Sequence, residues 1–322
     1  MNNIHWLVPF KLNHPEEILK SDIASLRLRA GLFLLPIFDN YKLTVNESIS
    51  NIDDIDFLFI GKIDSRKELL YQWEQYICYC RNVGVKLFFD CTDNNFDNDS
   101  PSSRMYKKLL KKNDLIITSS EKLKSNIFPQ YKNISVIEDP IEIKIQKVKS
   151  NKKKNHFLFF GHPTNLPYLL NIIPKWDHSK EYHLTIQTSE LGLKFITDEL
   201  RFIKKPENLN IHLQPWSQLN MENAAKIVSG VIIPGDILDD RKNGVSHNRL
   251  LTSFALGLTV AATKYNSYLE FENQFIDIDN SEEFKKFLRN PDLYSSRVNM
   301  AQKKLKEYSR GNIAEKWLQL LK

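Results

Sequence analysis

The chain has 322 residues, 42% hydrophobic and 26% charged, an ordinary globular balance that excludes a disordered or collagen-like class. That length predicts two domains, each able to bury its own core. The net charge of +6 and pI of about 8.9 suit anionic substrates or an anionic membrane surface. They fall short of the dense basic surface that marks nucleic-acid binding, so no nucleic-acid partner is expected.

Cys78, Cys80 and Cys91 are too few and too close for a disulfide framework, and Cys78-Tyr79-Cys80 lacks the two-residue spacer of a redox or zinc pair. Buried free thiols in a reducing cytoplasm are expected, with no metal site. The first residues, MNNIHWLVPFKLNHPEE, show no basic region leading into an apolar core, so no signal peptide is read. The longest apolar stretch, residues 32–38, contains Pro36 and is too short to span a bilayer.

In chain order, residues 4–9 read as a strand and residues 15–28 as a helix, with Ile18, Leu19, Ile23, Leu26 and Leu28 on one stripe. Residues 32–37 and 56–61 read as strands. Residues 68–82 form a helix with Leu69, Leu70, Trp73, Tyr76 and Ile77 inward, leading through Gly84 into an apolar strand over 85–90. A basic helix over 103–112, a strand over 115–118, a helix over 121–128 and a strand over 134–137 complete a first half. Strands that are wholly apolar and alternate with helices indicate a mostly parallel sheet covered on both faces.

Residues 144–155, KIQKVKSNKKKN, break the pattern and read as an exposed lysine-rich linker, either solvated or facing a membrane. This divides the chain into domains over 1–143 and 156–322. In the second, strands are expected over 156–160, 183–187, 209–213, 231–233 and 260–263, and a short one near 275–278. Helices are expected over 167–173, 221–228 and 281–288, and a long one from about Tyr294. Two α/β halves imply a cleft, with ligands at the carboxyl ends of the strands.

The richest stretch is 231–270. An apolar strand runs into a polar loop, and a helix expected from about Ser246 carries Leu250, Leu251, Phe254, Ala255 and Leu258, with Gly257 as a left-handed cap. Arg241, Lys242, His247 and Arg249 crowd the start of that helix, where the macrodipole is already positive. An anion held by backbone N–H groups, the Ser246 hydroxyl and Arg249 would account for them. The other reading is a solvated loop neutralised by Asp236, Asp239 and Asp240.

The run Asn248-Arg249-Leu250-Leu251, then Ala255-Leu256-Gly257-Leu258-Thr259-Val260-Ala261-Ala262-Thr263, then Ser267-Tyr268, resembles the GT-B superfamily of nucleotide-sugar-dependent glycosyltransferases. More narrowly, it is similar to the bacterial group 1, GT4-like members. The strand over 85–90 with its loop Cys91-Thr92-Asp93-Asn94-Asn95-Phe96, and the segments 114–120 and 136–142, are similar to that group's first domain; the likeness covers roughly residues 85 to 270. It implies an α/β GT-B fold of two Rossmann-like domains with an interdomain cleft. The first would be acceptor-binding and the second donor-binding, with the last helix packing back on the first.

The resemblance further implies metal-independent transfer, without a cofactor, from a nucleotide-sugar co-substrate to a glycan or lipid-linked acceptor. The pathway would be bacterial surface polysaccharide synthesis, such as capsule or O-antigen. The donor-binding set would be Gly161, His162, Thr164, Asn165, Lys242, Ser246, Asn248 and Arg249, with Arg241 in reserve. Asp93 is the first choice of general base and Asp90 the second. One departure stands out: the family's paired glutamates would fall at Gly244 and Thr252, neither acidic, which leaves Glu270 as the nearest candidate for the ribose. That departure also motivates the alternative of a catalytically silent GT-B partner subunit. The basic residues Arg104, Lys107, Lys108, Lys111 and Lys112 form either a solvated face or a contact to anionic lipid or a phosphorylated acceptor. A cytoplasmic protein at the inner face of the membrane is the expected setting.

Overall fold

The computed structural model describes residues 1–322 except 22, 64, 65, 97, 98, 100, 113, 129, 149–154, 177–179, 240, 241 and 243, with the side chains of 101 and 102 also left aside. The chain divides into two compact units. The first comprises Met1–Pro140, Asp239–Ser246 and Ser309–Lys322; the second comprises Ile141–Leu238 and His247–Tyr308.

The first unit contains β1 (Asn2–Leu7), α1 (Ala24–Leu28), β2 (Tyr41–Asn46), β3 (Phe57–Ile60), α2 (Lys67–Val83), β4 (Lys86–Cys91), α3 (Pro101–Leu109), β5 (Leu115–Thr118), α4 (Glu121–Ile127) and β6 (Ile134–Val136). Its six strands pair in parallel in the order β2-β1-β3-β4-β5-β6. Phe57, Leu58, Phe59 and Ile60 are all buried, because each face of the sheet is covered. One face packs Leu58, Ile60 and Phe89 against Trp73 and Ile77 of α2. The other packs Ile4, Trp6, Phe59 and Phe88 against Phe33 and Trp317.

Two expectations fail in this unit. The helix expected over 15–28 is a 3₁₀ segment, Pro15–Lys20, followed by the short α1, because the chain is extended at Ser21. The strand expected over 32–37 is two 3₁₀ turns, Ala30–Leu34 and Pro36–Phe38. Proline cannot donate to a strand ladder, and Leu32 and Phe33 bury themselves from a turn instead. The strand actually present is β2, polar and alternating because it lies at the edge of the sheet. All three cysteines are free; Cys80 and Cys91 are buried, but Cys78 is exposed on the outer side of α2. Burial pushes the Cys80 thiol up to about 11.

A buried ion cluster ties this unit's strand ends together. The Arg29 guanidinium lies with Nε at 2.8 and 2.9 Å from the two Asp90 oxygens and Nη1 at 3.1 Å from Asp139. The same Nη1 donates to the Ile137 carbonyl at 2.6 Å, and the cation lies 5.0 Å from the Trp317 ring. Burial works against the charge on Arg29, but the two carboxylates more than offset it.

The second unit contains β7 (His156–Phe160), α5 (Leu166–Ile172), β8 (Tyr182–Thr188), α6 (Glu190–Glu199), β9 (Leu209–Pro215), α7 (Gln218–Ala225), β10 (Gly230–Ile233), α8 (Asn248–Ala255), β11 (Thr259–Ala262), β12 (Ile276–Asp277), α9 (Ser281–Arg289) and α10 (Ser295–Lys304). The strands are parallel in the order β12-β11-β10-β7-β8-β9. The chain therefore winds outward from β7 to β9, then returns to lay β10 on the opposite side of β7. Helix α6, capped by Ser189, was not expected. The single long helix expected from Tyr294 is interrupted: α10 gives way to a 3₁₀ turn, Leu305–Tyr308, and Ser309 caps a new helix, α11 (Arg310–Leu321), that belongs to the first unit. Of the stretch read as an exposed linker, Lys144 and Lys147 are exposed. Gln146, by contrast, is pinned to the end of α8, its N–H donating to Ala255 O at 2.7 Å. Residues 149–154 lie outside the described set.

Two glycines close helices in the left-handed region, where a side chain costs about 1–2 kcal/mol. Gly84 ends α2 at φ +84° with open space around a Cβ, whereas at Gly257, φ +71°, a Cβ would sit 2.8 Å from the Lys147 carbonyl. Gly84→Ala should lose about 1 kcal/mol in denaturant unfolding and Gly257→Ala clearly more; equal losses would mean that the backbone at Lys147 yields.

Arg29→Met should cost about 3–5 kcal/mol near neutral pH, because it leaves two carboxylates buried without a partner. Burial already pushes Asp90 upward. A carboxyl whose folded pKa exceeds its unfolded one binds protons preferentially in the folded state, so its destabilisation grows as pH rises and fades as pH falls. The gap between wild type and Arg29→Met should therefore narrow between about pH 7 and pH 5. A constant gap would assign the loss to packing instead.

Candidate functional site

In an open parallel sheet, ligands sit outside the strand carboxyl ends where the winding reverses. In the second unit that point lies between β7 and β10. Gly161 follows β7 directly, and its N–H donates to Gln187 O of β8 at 3.1 Å. The chain then turns through Pro163–Asn165, where His162 Nδ1 lies 3.1 Å from Thr164 Oγ1. The Asn165 N–H and Nδ2 both donate to His162 O, at 2.9 and 3.3 Å. His162 and Thr164 are exposed, and Asn165 is buried at the entry to α5.

From the other side of the reversal, α8 carries Arg249 toward this turn. A Cβ built on Gly161 would lie 3.5 Å from both Arg249 Nη1 and Asn165 Nδ2. The structure therefore brings Gly161, Asn165 and Arg249 together. Arg249 Nη1 is buried and has no hydrogen-bond partner among the described residues, as is also true of Ser267 Oγ. Burial pushes the Tyr265 and Tyr268 hydroxyls up, and the Arg249 cation partly opposes this at both. A buried N–H without a partner is costly. A cation offering one across a crevice that lacks a Cβ at Gly161 is suited to an anionic oxygen.

The remaining donor-side expectations separate. Helix α8 begins at Asn248, with His247 rather than Ser246 at its cap and no side-chain cap bond. Asn248, half-buried, is its first residue. Lys242 and Ser246 fall in Asp239–Ser246, which belongs to the first unit, where Ser120 Oγ donates to Gly244 O at 2.7 Å. Ser246, Lys242 and Arg249 are thus not parts of one local element, because the chain changes unit between Ser246 and His247. Arg241 and Asp240 lie outside the described residues. Thr252, at the position of one absent glutamate, is buried. Glu270 does not stand alone in a loop: its Oε1 lies 3.3 Å from His247 Nδ1, and its Oε2 accepts from Tyr308 OH at 2.5 Å. Neither His247 nor Tyr308 was singled out as Glu270's partner from the sequence, although His247 immediately precedes the Asn248-Arg249 pair.

In the first unit, Asp90 and Asp93 share the carboxyl end of β4 but not an environment. Asp90 is buried and committed to Arg29. Asp93 is half-buried in the loop after β4, and no described residue donates a hydrogen bond to its carboxylate. Its loop is fixed around it: Asn95 N–H donates to Asp93 O at 3.0 Å, and Ser119 Oγ to Thr92 O at 3.4 Å. Phe96 anchors the far end against Tyr106 and Tyr131. Among the described residues no group of three or more His, Cys, Asp or Glu is arranged to hold a metal, and no helix is long and apolar enough to cross a membrane.

No family model matches the sequence, and no curated protein matches it. Solved structures do. An α-glucosyltransferase in complex with UDP and a 13-mer DNA superposes with a TM-score of 0.66 at 10% identity, over 100% of both chains. AviGT4, a glycosyltransferase involved in avilamycin A biosynthesis, gives 0.59 at 10% identity, over 100% of this chain and 97% of that one. TarM gives 0.56 at 15% identity over 82% of this chain, which spans about half, 54%, of TarM. At such identities the likeness is one of fold, and two Rossmann-like units of six parallel strands each give this chain the GT-B fold.

Proposed function

We propose that this protein is a glycosyltransferase that binds the diphosphate of a nucleotide sugar at the strand reversal of its second unit. The observation that carries the reading is the buried Nη1 of Arg249, facing Gly161 and without a hydrogen-bond partner among the described residues. Departure of a nucleoside diphosphate places negative charge on the bridging oxygen, and a preorganised guanidinium stabilises it without a metal. Asn165, His162 and Thr164 border the same turn, and Asn248 stands at the start of α8. Lys242 and Ser246 are proposed as further donor contacts on chemical grounds alone.

Asp93 is the proposed general base, accepting the proton of an acceptor hydroxyl if configuration inverts. Asp90, held by Arg29, instead supports the strand end. The acceptor we propose is a glycan or lipid-linked chain of a bacterial surface polymer. Arg104, Lys107, Lys108, Lys111 and Lys112 are all exposed along α3 and the residues after it, with Arg104 paired to Asp99 and Lys108 to Glu74; the basic excess of this face supports an anionic acceptor or lipid surface. The α-glucosyltransferase above was solved with DNA. The exposed face of α3 carries no aromatic side chain for base stacking, which favours a glycan; duplex DNA belongs in the acceptor panel as the contrary case. The catalytically silent subunit has one observation in its favour, the buried Thr252 where a ribose-binding glutamate is otherwise expected. Donor binding without hydrolysis or transfer to any acceptor would select it.

UDP, GDP, CMP and dTDP donors read by thermal shift test the proposal, and a flat response to all of them would sink it. Arg249→Ala should weaken nucleotide binding by about 2 kcal/mol, roughly 30-fold, as expected for one charge-assisted hydrogen bond. Gly161→Ala should block binding while leaving the melting temperature of the free protein unchanged, since its Cβ meets only ordinary contacts.

Asp93→Asn should lower kcat roughly 10²- to 10⁴-fold with donor affinity intact. An active Asp93→Asn enzyme would remove the base assignment and favour retention of configuration.

A further inference from the structure

The carboxylate of Glu270 joins two side chains that lie at places where the chain changes unit. His247 is the first residue of the second unit after Ser246, and Tyr308 is its last before Ser309. Glu270 reaches His247 Nδ1 with one oxygen and accepts from Tyr308 OH with the other. The His247 ring packs on the edge of Tyr308 with centroids 5.1 Å apart, and His247 is fully buried. Tyr308 O in turn accepts from Ile141 N–H at 2.8 Å, and Ile141 opens the unit. Lys304 Nζ donates to Glu270 O at 2.6 Å. His247 caps α8, and its carbonyl accepts the Leu251 N–H at 3.0 Å in that helix's first turn, where Arg249 lies.

We infer that Glu270 is a positioning residue for the donor site: with Tyr308 it holds His247, and through His247 it sets the first turn of α8 and the aim of Arg249. The inference rests on the donor-site reading above and replaces the ribose contact expected of Glu270. The 3₁₀ turn Asn266–Phe271 thus meets the start of α8 at His247, through Glu270. A carboxylate that accepts from Tyr308 with one oxygen and lies 3.3 Å from the buried His247 ring with the other is oriented by the protein rather than left for a sugar hydroxyl.

The test compares UDP with inorganic pyrophosphate, which carries the anionic groups without the ribose. Glu270→Gln and Tyr308→Phe should each weaken both ligands by the same factor, roughly two- to thirtyfold, the range for residues acting through others. The double variant should be no worse than the weaker single, because both act through one carboxylate. Gly84→Ala, which destabilises the first unit, should leave both affinities unchanged and so separates positioning from loss of stability. Weaker UDP binding with unchanged pyrophosphate binding in Glu270→Gln would make Glu270 a ribose ligand and overturn the inference, as would a Tyr308→Phe protein indistinguishable from wild type.

Amide exchange of the free protein needs no ligand: the Leu251 N–H should exchange faster in Glu270→Gln, and an unchanged rate overturns the inference. Wild-type protein that binds neither UDP nor pyrophosphate, yet shows the faster exchange in the variant, would count against the donor-site reading alone.

Discussion

A parallel sheet that is wound outward from a central strand and then resumed on that strand's other side cannot keep its connections on one face. The turns after β7 and β10 depart in opposite directions and leave a crevice between them at the strand carboxyl ends. The chemistry of the second unit is arranged around that gap. One lip is a glycine, so backbone is bare where a ligand would approach. The other is the start of α8, whose Arg249 crosses toward it. A cation on the first turn of a helix works against the helix dipole, so its presence there calls for an anion that both can serve.

In the first unit the same strand end supplies two carboxylates with opposite fates. Burial would neutralise Asp90 were it not for Arg29, and Arg29 would not tolerate burial without Asp90 and Asp139. The result is a rigid junction between β4, the segment after β6 and the Trp317 ring. Asp93, three residues on, keeps partial exposure and a carboxylate to which no described residue donates, on a loop whose backbone is held. Environment, not residue type, separates a structural carboxylate from an available one.

Much of this was legible in the residues, for identifiable reasons. Strands such as 115–118 are apolar on both faces and bounded by turns, so their bounds emerged from pattern alone. Gly257 was readable because a glycine between an apolar helix and a strand supplies the left-handed residue that ends the helix, and its φ is +71°. The edge strand β2 was not, because a strand paired on one side needs no apolar run. Residues 32–37 misled for the opposite reason, as a short apolar run is equally satisfied by turns that bury Leu32 and Phe33. Within the candidate site, Gly161, Asn165 and Arg249 were named from sequence and lie together. The Arg29 cluster and the contact of His247 with Glu270 were invisible, since each joins residues tens of positions apart with no local spacing to betray them. The change of unit between Ser246 and His247 was likewise not legible, because it falls within one short loop.

Trp317 stands at 5.8 Å from Trp6, 5.6 Å from Phe33 and 5.8 Å from Phe59, ring centroid to ring centroid, and closes one face of the first sheet. During synthesis, β1 leaves the ribosome long before the helix that covers it, with all of Ile141–Leu238 and His247–Tyr308 made in between. The nascent first unit therefore waits with an aromatic face uncovered while its neighbour is translated. Domain-by-domain maturation, in which the earlier domain finishes before the later one begins, is closed to this chain. Residues 309–322 belong to the first unit, so Trp6, Phe33 and Phe59 await their cover until the second unit has been made.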